Sequence, residues 1–111
     1  MRIPNAKHAQ VDREKIERYL LCHDHPDGAS KARFFEQFGF DRSNWQKLAS
    51  ALQEHAQTQP VAKTVATAHG TRYIVDGRMR GLDGRQPPIR TVWIIEEGVD
   101  RPRLVTAYPC G

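Results

Sequence analysis

The chain has 111 residues, with 17 Lys and Arg against 13 Asp and Glu, giving a formal charge of +4 and a pI near 9.4. That length suits one compact domain, 1–111, whose core needs neither disulfides nor a metal. A hydrophobic content of 39% beside 27% charged residues excludes a disordered chain, and apolar runs of only a few residues exclude a membrane-spanning helix.

Residues 1–59 read as helical and 60–111 as a sheet. Residues 2–4 suit a short extended segment ending at Pro4. Asp12 is placed to cap a helix over about 13–22, with Ile16, Tyr19 and Leu20 as its apolar face. His23 to Gly28 is a turn-rich break. A second helix over 30–38 turns Ala32, Phe35 and Phe38 inward and stops at Gly39. Ser43 followed by Gln46 is a capping-box pattern. It opens a third helix over about 43–57, whose stripe of Trp45, Leu48, Ala49, Leu52 and Ala56 is the strongest periodic signal in the chain. His55 falls on the polar side of this helix in that reading, in solvent.

After Pro60 the period changes to two. Strands are predicted near 61–67, 71–76, 88–96 and 103–108, with turns at His69-Gly70 and Asp83-Gly84. Met79 suits a further short strand between Gly77 and Gly81. Helices followed by antiparallel strands define an α+β fold, with three N-terminal helices packed on one face of a four- to five-stranded antiparallel sheet. Strict alternation along the last strand sets Leu104, Thr106 and Tyr108 on one face and Arg103, Val105 and Ala107 on the other. A hydroxyl and a phenol beside Leu104 mark the hairpin as a rigid platform for chemistry. Two registers fit it. One sets Trp93 opposite Thr106 and Thr91 opposite Tyr108; the other sets Arg90 opposite Tyr108 and Val92 opposite Thr106. A one-residue slip flips every side chain, and both arrangements gather Thr, Tyr, Arg and Trp at one end of the hairpin.

The charge is uneven. Residues 1–59 carry 9 Lys and Arg against 8 Asp and Glu; residues 60–111 carry 8 against 5, and seven of those eight are Arg. Clustered arginines suit bidentate contacts to phosphate, or simply a soluble basic surface. Lys31 opens the second helix, where a lone cation is either incidental or placed to meet a phosphate. His23 and His25 flank Asp24 with no third or fourth ligand nearby, so no metal site and no cofactor is predicted. His69 is a weaker chemical candidate at a turn. Cys22 and Cys110 lack CxxC spacing and read as free thiols in a reducing compartment. The N-terminus lacks the apolar stretch of a signal peptide, and a cytoplasmic location is expected. No nucleophile elbow, Gly-rich phosphate loop or HExxH stretch occurs.

Several word-like segments recur together: 26–35 (Pro-Asp-Gly-Ala-Ser-Lys-Ala-Arg-Phe-Phe), Gly39-Phe40, Trp45 with Leu48, and 70–77 (Gly-Thr-Arg-Tyr-Ile-Val-Asp-Gly). Gly84-Arg85, 90–93 (Arg-Thr-Val-Trp) and 103–109 (Arg-Leu-Val-Thr-Ala-Tyr-Pro) complete the set. In this set the chain resembles a bacterial domain family of unknown function, found as small stand-alone proteins and as C-terminal modules of polymorphic toxins. More distantly, the order of helices and strands resembles the barnase–EndoU–colicin–RelE ribonuclease superfamily. That resemblance implies an active face on the open sheet, with Lys31, Arg90, Thr106 and Tyr108 as catalytic residues and Arg72, Arg85 and Arg103 as RNA-binding residues. The chain departs from the superfamily in lacking a His pair or Glu–His pair. The implied activity is therefore metal-independent RNA cleavage by 2′-OH attack, supported by Arg and Lys charge. The implied partners are RNA and a small acidic antitoxin or immunity protein, with no membrane. A non-catalytic protein- or RNA-binding module using the Arg-rich face, and a structural accessory domain, are the competing readings.

Overall fold

The structure, a computed structural model, describes residues 1–110. The first helix, α1, begins as one α-helical turn over Arg13–Lys15 and continues as a π-helix over Ile16–Leu20. The widened turn is closed by the Leu21 N–H donating to the Ile16 carbonyl, 2.8 Å. Such π segments are rare and recur at functional sites. Asp12 stands at the N-cap position, but its carboxylate accepts from Gln10 Nε2 (2.6 Å) and caps no backbone N–H.

Helix α2 spans Ala29–Glu36 and α3 spans Trp45–Thr58. A 3₁₀ turn over Arg42–Asn44 precedes α3, and the cap is not the predicted Ser43–Gln46 box. Asp41 accepts from the Asn44 backbone N–H while the Asp41 N–H donates to Asn44 Oδ1. The reciprocal capping is the same chemistry, started two residues earlier and answered by Asn rather than Gln.

The sheet has four antiparallel strands in sequential order: β1 Val61–Thr67, β2 Gly70–Arg78, β3 Pro88–Glu96 and β4 Arg103–Pro109. No fifth strand forms among the described residues. Met79 follows β2 directly and is buried, with its N–H on the Pro87 carbonyl. Residues 2–4 form no strand either, although Ile3 is buried. The helices pack on one sheet face, where Leu48, Leu52, Phe35, Val75, Ile89, Trp93, Leu104 and Ala107 form a continuous core. Gln10 bridges to the start of β4 and covers that edge of the sheet.

The hairpin adopts the register that pairs Arg90 with Tyr108 and Val92 with Thr106, and then breaks it. Between Val92–Thr106 and Trp93–Leu104 the register shifts by one residue, leaving Val105 as the extra residue of a β-bulge. The bulge overturns the strict alternation expected for β4. Leu104 and Ala107 are buried in the core, while Thr106 and Tyr108 share the opposite face with Arg90 and Val92. One inserted residue thus separates the apolar anchor from the two hydroxyl groups.

His55 does not lie in solvent, as its polar side chain suggests, but in the core. It is 1% exposed, with Nε2 against the Gly77 carbonyl at 3.1 Å and Nδ1 against Thr91 Oγ1 at 2.9 Å. Trp93 Nε1 donates to the same hydroxyl at 2.8 Å. The carbonyl can only accept, so Nε2 carries the proton and Nδ1 accepts from Thr91. A neutral imidazole satisfies every member of this buried chain. Burial lowers the His55 pKa from its ordinary 6.5, the nearby Gly77 and Ile89 carbonyls and Asp76 only partly opposing it.

Candidate functional site

The outward face of the sheet is ordered in three rows across β2, β3 and β4. They are Asp76–Arg90–Tyr108, Ile74–Val92–Thr106 and Arg72–Ile94–Arg103. The polar rows lie at the two ends, with an apolar row between them that closes on Thr106.

In the first row Arg90 is held by a bidentate pair, Nε to Asp76 Oδ1 at 2.7 Å and Nη2 to Oδ2 at 2.8 Å. The guanidinium is thereby fixed in orientation. Its pKa is raised, by Asp76 first and by Tyr108 second, and Asp76 is lowered chiefly by the same pair. The Cys110 thiol approaches the same carboxylate at 3.8 Å; burial, then Asp76, raises its pKa.

At the β4 edge, α1 and the start of α2 bring further groups to this face. Tyr19 Oη and Thr106 Oγ1 are 2.8 Å apart. Lys31 Nζ donates to the Asp27 carbonyl at 2.9 Å and lies 5.3 Å from the centre of the Tyr19 ring. Lys31 and Tyr108 line one cavity of about 450 Å³ together with Ser30 and Pro109. Among the described residues Lys31 makes no ion pair, whereas Arg90 does. Lys31, Tyr108, Thr106 and Arg90 therefore lie on one connected surface, linked through Tyr19 and through the Arg90–Tyr108 strand pair.

The three arginines assigned to RNA are dispersed. Arg72 is exposed in the third row. Arg103, in the same row, is paired with Glu96 at 2.7 Å. Arg85 sits outside the sheet, paired with Asp83, donating to the Gln37 carbonyl and lying over the Phe38 ring at 4.6 Å. Arg80 pairs with Glu54 at 3.6 Å, so four of the arginines of the second half, Arg80, Arg85, Arg90 and Arg103, carry a carboxylate partner, which reduces the positive face that the composition suggests.

Two residues of the cluster were not singled out in the sequence as site residues. In the sequence Tyr19 reads only as an apolar helix position. The His25 ring meets the Tyr19 ring edge-on, with centres 4.9 Å apart. His25 Nδ1 accepts the N–H groups of Asp27 and Gly28, both at 3.0 Å, which fixes the tautomer with hydrogen on Nε2. Gly28 makes this turn fit: a Cβ there would collide with the Tyr19 carbonyl. The Pro-Asp-Gly turn at 26–28 is the available signal, since a glycine in a turn often marks close backbone approach.

Among the described residues no group of three or more His, Cys, Asp or Glu is placed to hold a metal ion, and no helix is long and apolar enough to cross a membrane. Cys22 and Cys110 are free thiols.

The chain belongs to the DUF6883 family, a domain of unknown function, whose model matches residues 2–111. No curated protein matches it. Among solved structures it is similar to one chain of the contact-dependent growth inhibition toxin–immunity protein complex from Klebsiella pneumoniae 342. The TM-score is 0.73 at 15% identity, over 96% of this chain and 97% of that one. The two chains share a fold.

Proposed function

We propose that this domain is a toxin-type endoribonuclease that cleaves single-stranded RNA by attack of a 2′-OH on the adjacent phosphorus. The observation that carries the reading is the joining of Lys31, Tyr108, Thr106 and Arg90 into one surface by three separate elements. A structural hairpin has no need of an unpaired ammonium group beside a phenol at its edge. The fold shared with a chain of a toxin–immunity complex supports the toxin half of the reading.

In this mechanism the 2′-oxygen–phosphorus bond forms as the phosphorus–5′-oxygen bond breaks, leaving a 2′,3′-cyclic phosphate and a free 5′-OH. One proton leaves the 2′-OH and one reaches the departing 5′-oxygen. Tyr108 and Lys31 serve these transfers from the cavity they line. Arg90, oriented by Asp76, and Lys31 oppose the charge that develops on the phosphorane oxygens. Thr106, held by Tyr19, orients the phosphate. No metal enters the reaction. A basic nuclease of this kind requires neutralisation in the cell that makes it, and a small acidic immunity protein is its partner.

Incubation of the purified chain with labelled RNA in chelator tests the reading. Products ending in 2′,3′-cyclic phosphate support it. RNA left intact, with or without divalent metal, overturns it in favour of a binding module.

A further inference from the structure

Beside the catalytic cavity lies a second depression, a groove of about 570 Å³ whose walls include Lys15, Arg18, Tyr19 and Arg103. Tyr19 lines the groove and stands beside Lys31, which lines the cavity. The Lys15 ammonium is 5.4 Å from the centre of its ring and the Lys31 ammonium 5.3 Å. A cation associated with the catalytic cavity and a cation of the groove therefore attend the same side chain.

The charges of the groove are not equivalent. Arg13 is paired with Glu17 and its guanidinium lies over the Trp45 ring. Arg103 is paired with Glu96. Among the described residues Lys15 and Arg18 form no ion pair, and Arg18 is exposed. Asp12 and Glu14 also line the groove. Carboxylates among unpaired cations suit a strand that offers both phosphates and hydrogen-bond donors, the amino groups of bases and the 2′-hydroxyls. They repel a uniformly acidic protein surface.

We infer that this groove binds the RNA backbone next to the scissile phosphate, with Lys15 and Arg18 contacting phosphates of the strand that runs past Tyr19 from the Lys31–Tyr108 cavity. The inference rests on the ribonuclease reading for the identity of the strand, but it concerns binding and is tested without cleavage. The substrate class it names is a single strand several nucleotides long, in place of a dinucleotide.

The test uses a 2′-O-methyl oligoribonucleotide of about 12 nucleotides, within the span of single-strand binding sites, which lacks the attacking hydroxyl and stays intact. Its affinity for the wild-type chain and for the Lys15→Gln/Arg18→Gln double variant is measured by fluorescence anisotropy across a range of salt. Loss of two phosphate contacts lowers the slope of log K against log salt by about 1.4 for a single strand. A 2′-O-methyl dinucleotide, with one phosphate, binds both proteins equally. A Lys47→Gln/Arg80→Gln variant, which removes the same charge elsewhere, keeps the wild-type slope. Equal slopes for wild type and the Lys15/Arg18 variant overturn the inference. So does an equal change in the Lys47/Arg80 variant, or a matching loss for the dinucleotide. A Lys15/Arg18 variant that loses affinity only for a polyglutamate probe overturns it in favour of an acidic protein. A changed slope in a chain that leaves cleavable RNA intact ends the catalytic reading and keeps the groove; an unchanged slope in a chain that cuts RNA does the reverse.

Discussion

Tyr19, in the π-helical part of α1, and Thr106, in the last strand, lie 87 residues apart and share a hydrogen bond of 2.8 Å. The bond ties a helix to the edge of the sheet and holds a hydroxyl at the candidate site. Tyr19→Phe deletes only the phenolic oxygen and leaves the ring beside His25, Lys15 and Lys31. A neutral hydrogen bond contributes about 0.5–1.5 kcal/mol net, and thermal denaturation should read a loss of that size. The rate of RNA cleavage should fall further than the small rise in unfolded protein allows. A folded variant that cleaves at the wild-type rate removes this pair from the site.

The core prediction is simpler. Leu48 and Leu52 are fully buried on α3, so Leu48→Ala should cost roughly 2–5 kcal/mol, the transfer loss plus the cavity left behind. Denaturant titration measures it; a change within about half a kcal/mol would reassign α3 as peripheral. Trp45, from the same sequence stripe, is only half-buried: it packs against the rim of the core and carries the Arg13 guanidinium over its ring.

His55 makes stability depend on pH. Its folded-state pKa is lowered from 6.5 by burial. As pH falls through about 6.5 the unfolded chain takes up a proton that the folded chain does not, so stability declines from there downward. Asp76 acts in a lower window. Its pKa is held below 3.8 chiefly by Arg90, so its contribution is present above that value and disappears as the carboxylate protonates. Melting temperatures for wild type and His55→Gln between pH 7 and pH 5 separate the two. The variant should be less stable at pH 7 but flatter with pH. A wild-type melting temperature equal at both ends contradicts the buried neutral ring.

Much of this fold is legible in the sequence because its signals are local. The α3 stripe, the change of period at Pro60 and the turns at Gly70 and Gly84 each depend on neighbours in the chain. His55 was legible too. It stands seven residues after Leu48 and three after Leu52, on the apolar stripe, and only its residue type suggested solvent. The face of Thr106 and Tyr108 was not legible, because Val105 carries no mark of a bulge and alternation along β4 places both beside Leu104. Tyr19 and His25 escaped for another reason. Their relation to Lys31 and Thr106 arises from packing between α1, the turn at 25–28 and β4, and no periodicity records such a meeting.

Gly28 provides a test of that packing. A methyl group at this position meets the Tyr19 carbonyl, which is backbone and cannot swing aside. Gly28→Ala should destabilise the chain by about 1–3 kcal/mol, the usual range for forced overpacking. It should also displace the His25 ring from Tyr19, visible as a change in the His25 imidazole resonances. Unchanged resonances in a stable variant would mean that the turn is not built on Tyr19.

The last prediction concerns the chemistry. Arg90 is anchored by Asp76 through two of its nitrogens, so the guanidinium is fixed before substrate arrives. A fixed donor aimed at developing charge is worth more than a mobile one, because no reorganisation accompanies the reaction. Arg90→Ala should therefore lower the cleavage rate by roughly 10²–10³. Asp76→Asn keeps the shape of the pair and weakens the anchor. Its rate should fall less than that of Arg90→Ala, with a larger effect on kcat than on KM, since the charge on Arg90 remains to attract the phosphate. Tyr108→Phe should lose a factor no larger than that of Arg90→Ala if the phenol moves a proton, and its pH–rate profile should lose one limb. Chelator should leave all of these rates unchanged. Each variant is checked by thermal melt, because Arg90 and Tyr108 are strand partners and either change can loosen β4. If Arg90→Ala cleaves as fast as wild type while folded, the Asp76–Arg90 pair is a strut of the sheet, and the charge that supports cleavage must come from Lys31 alone.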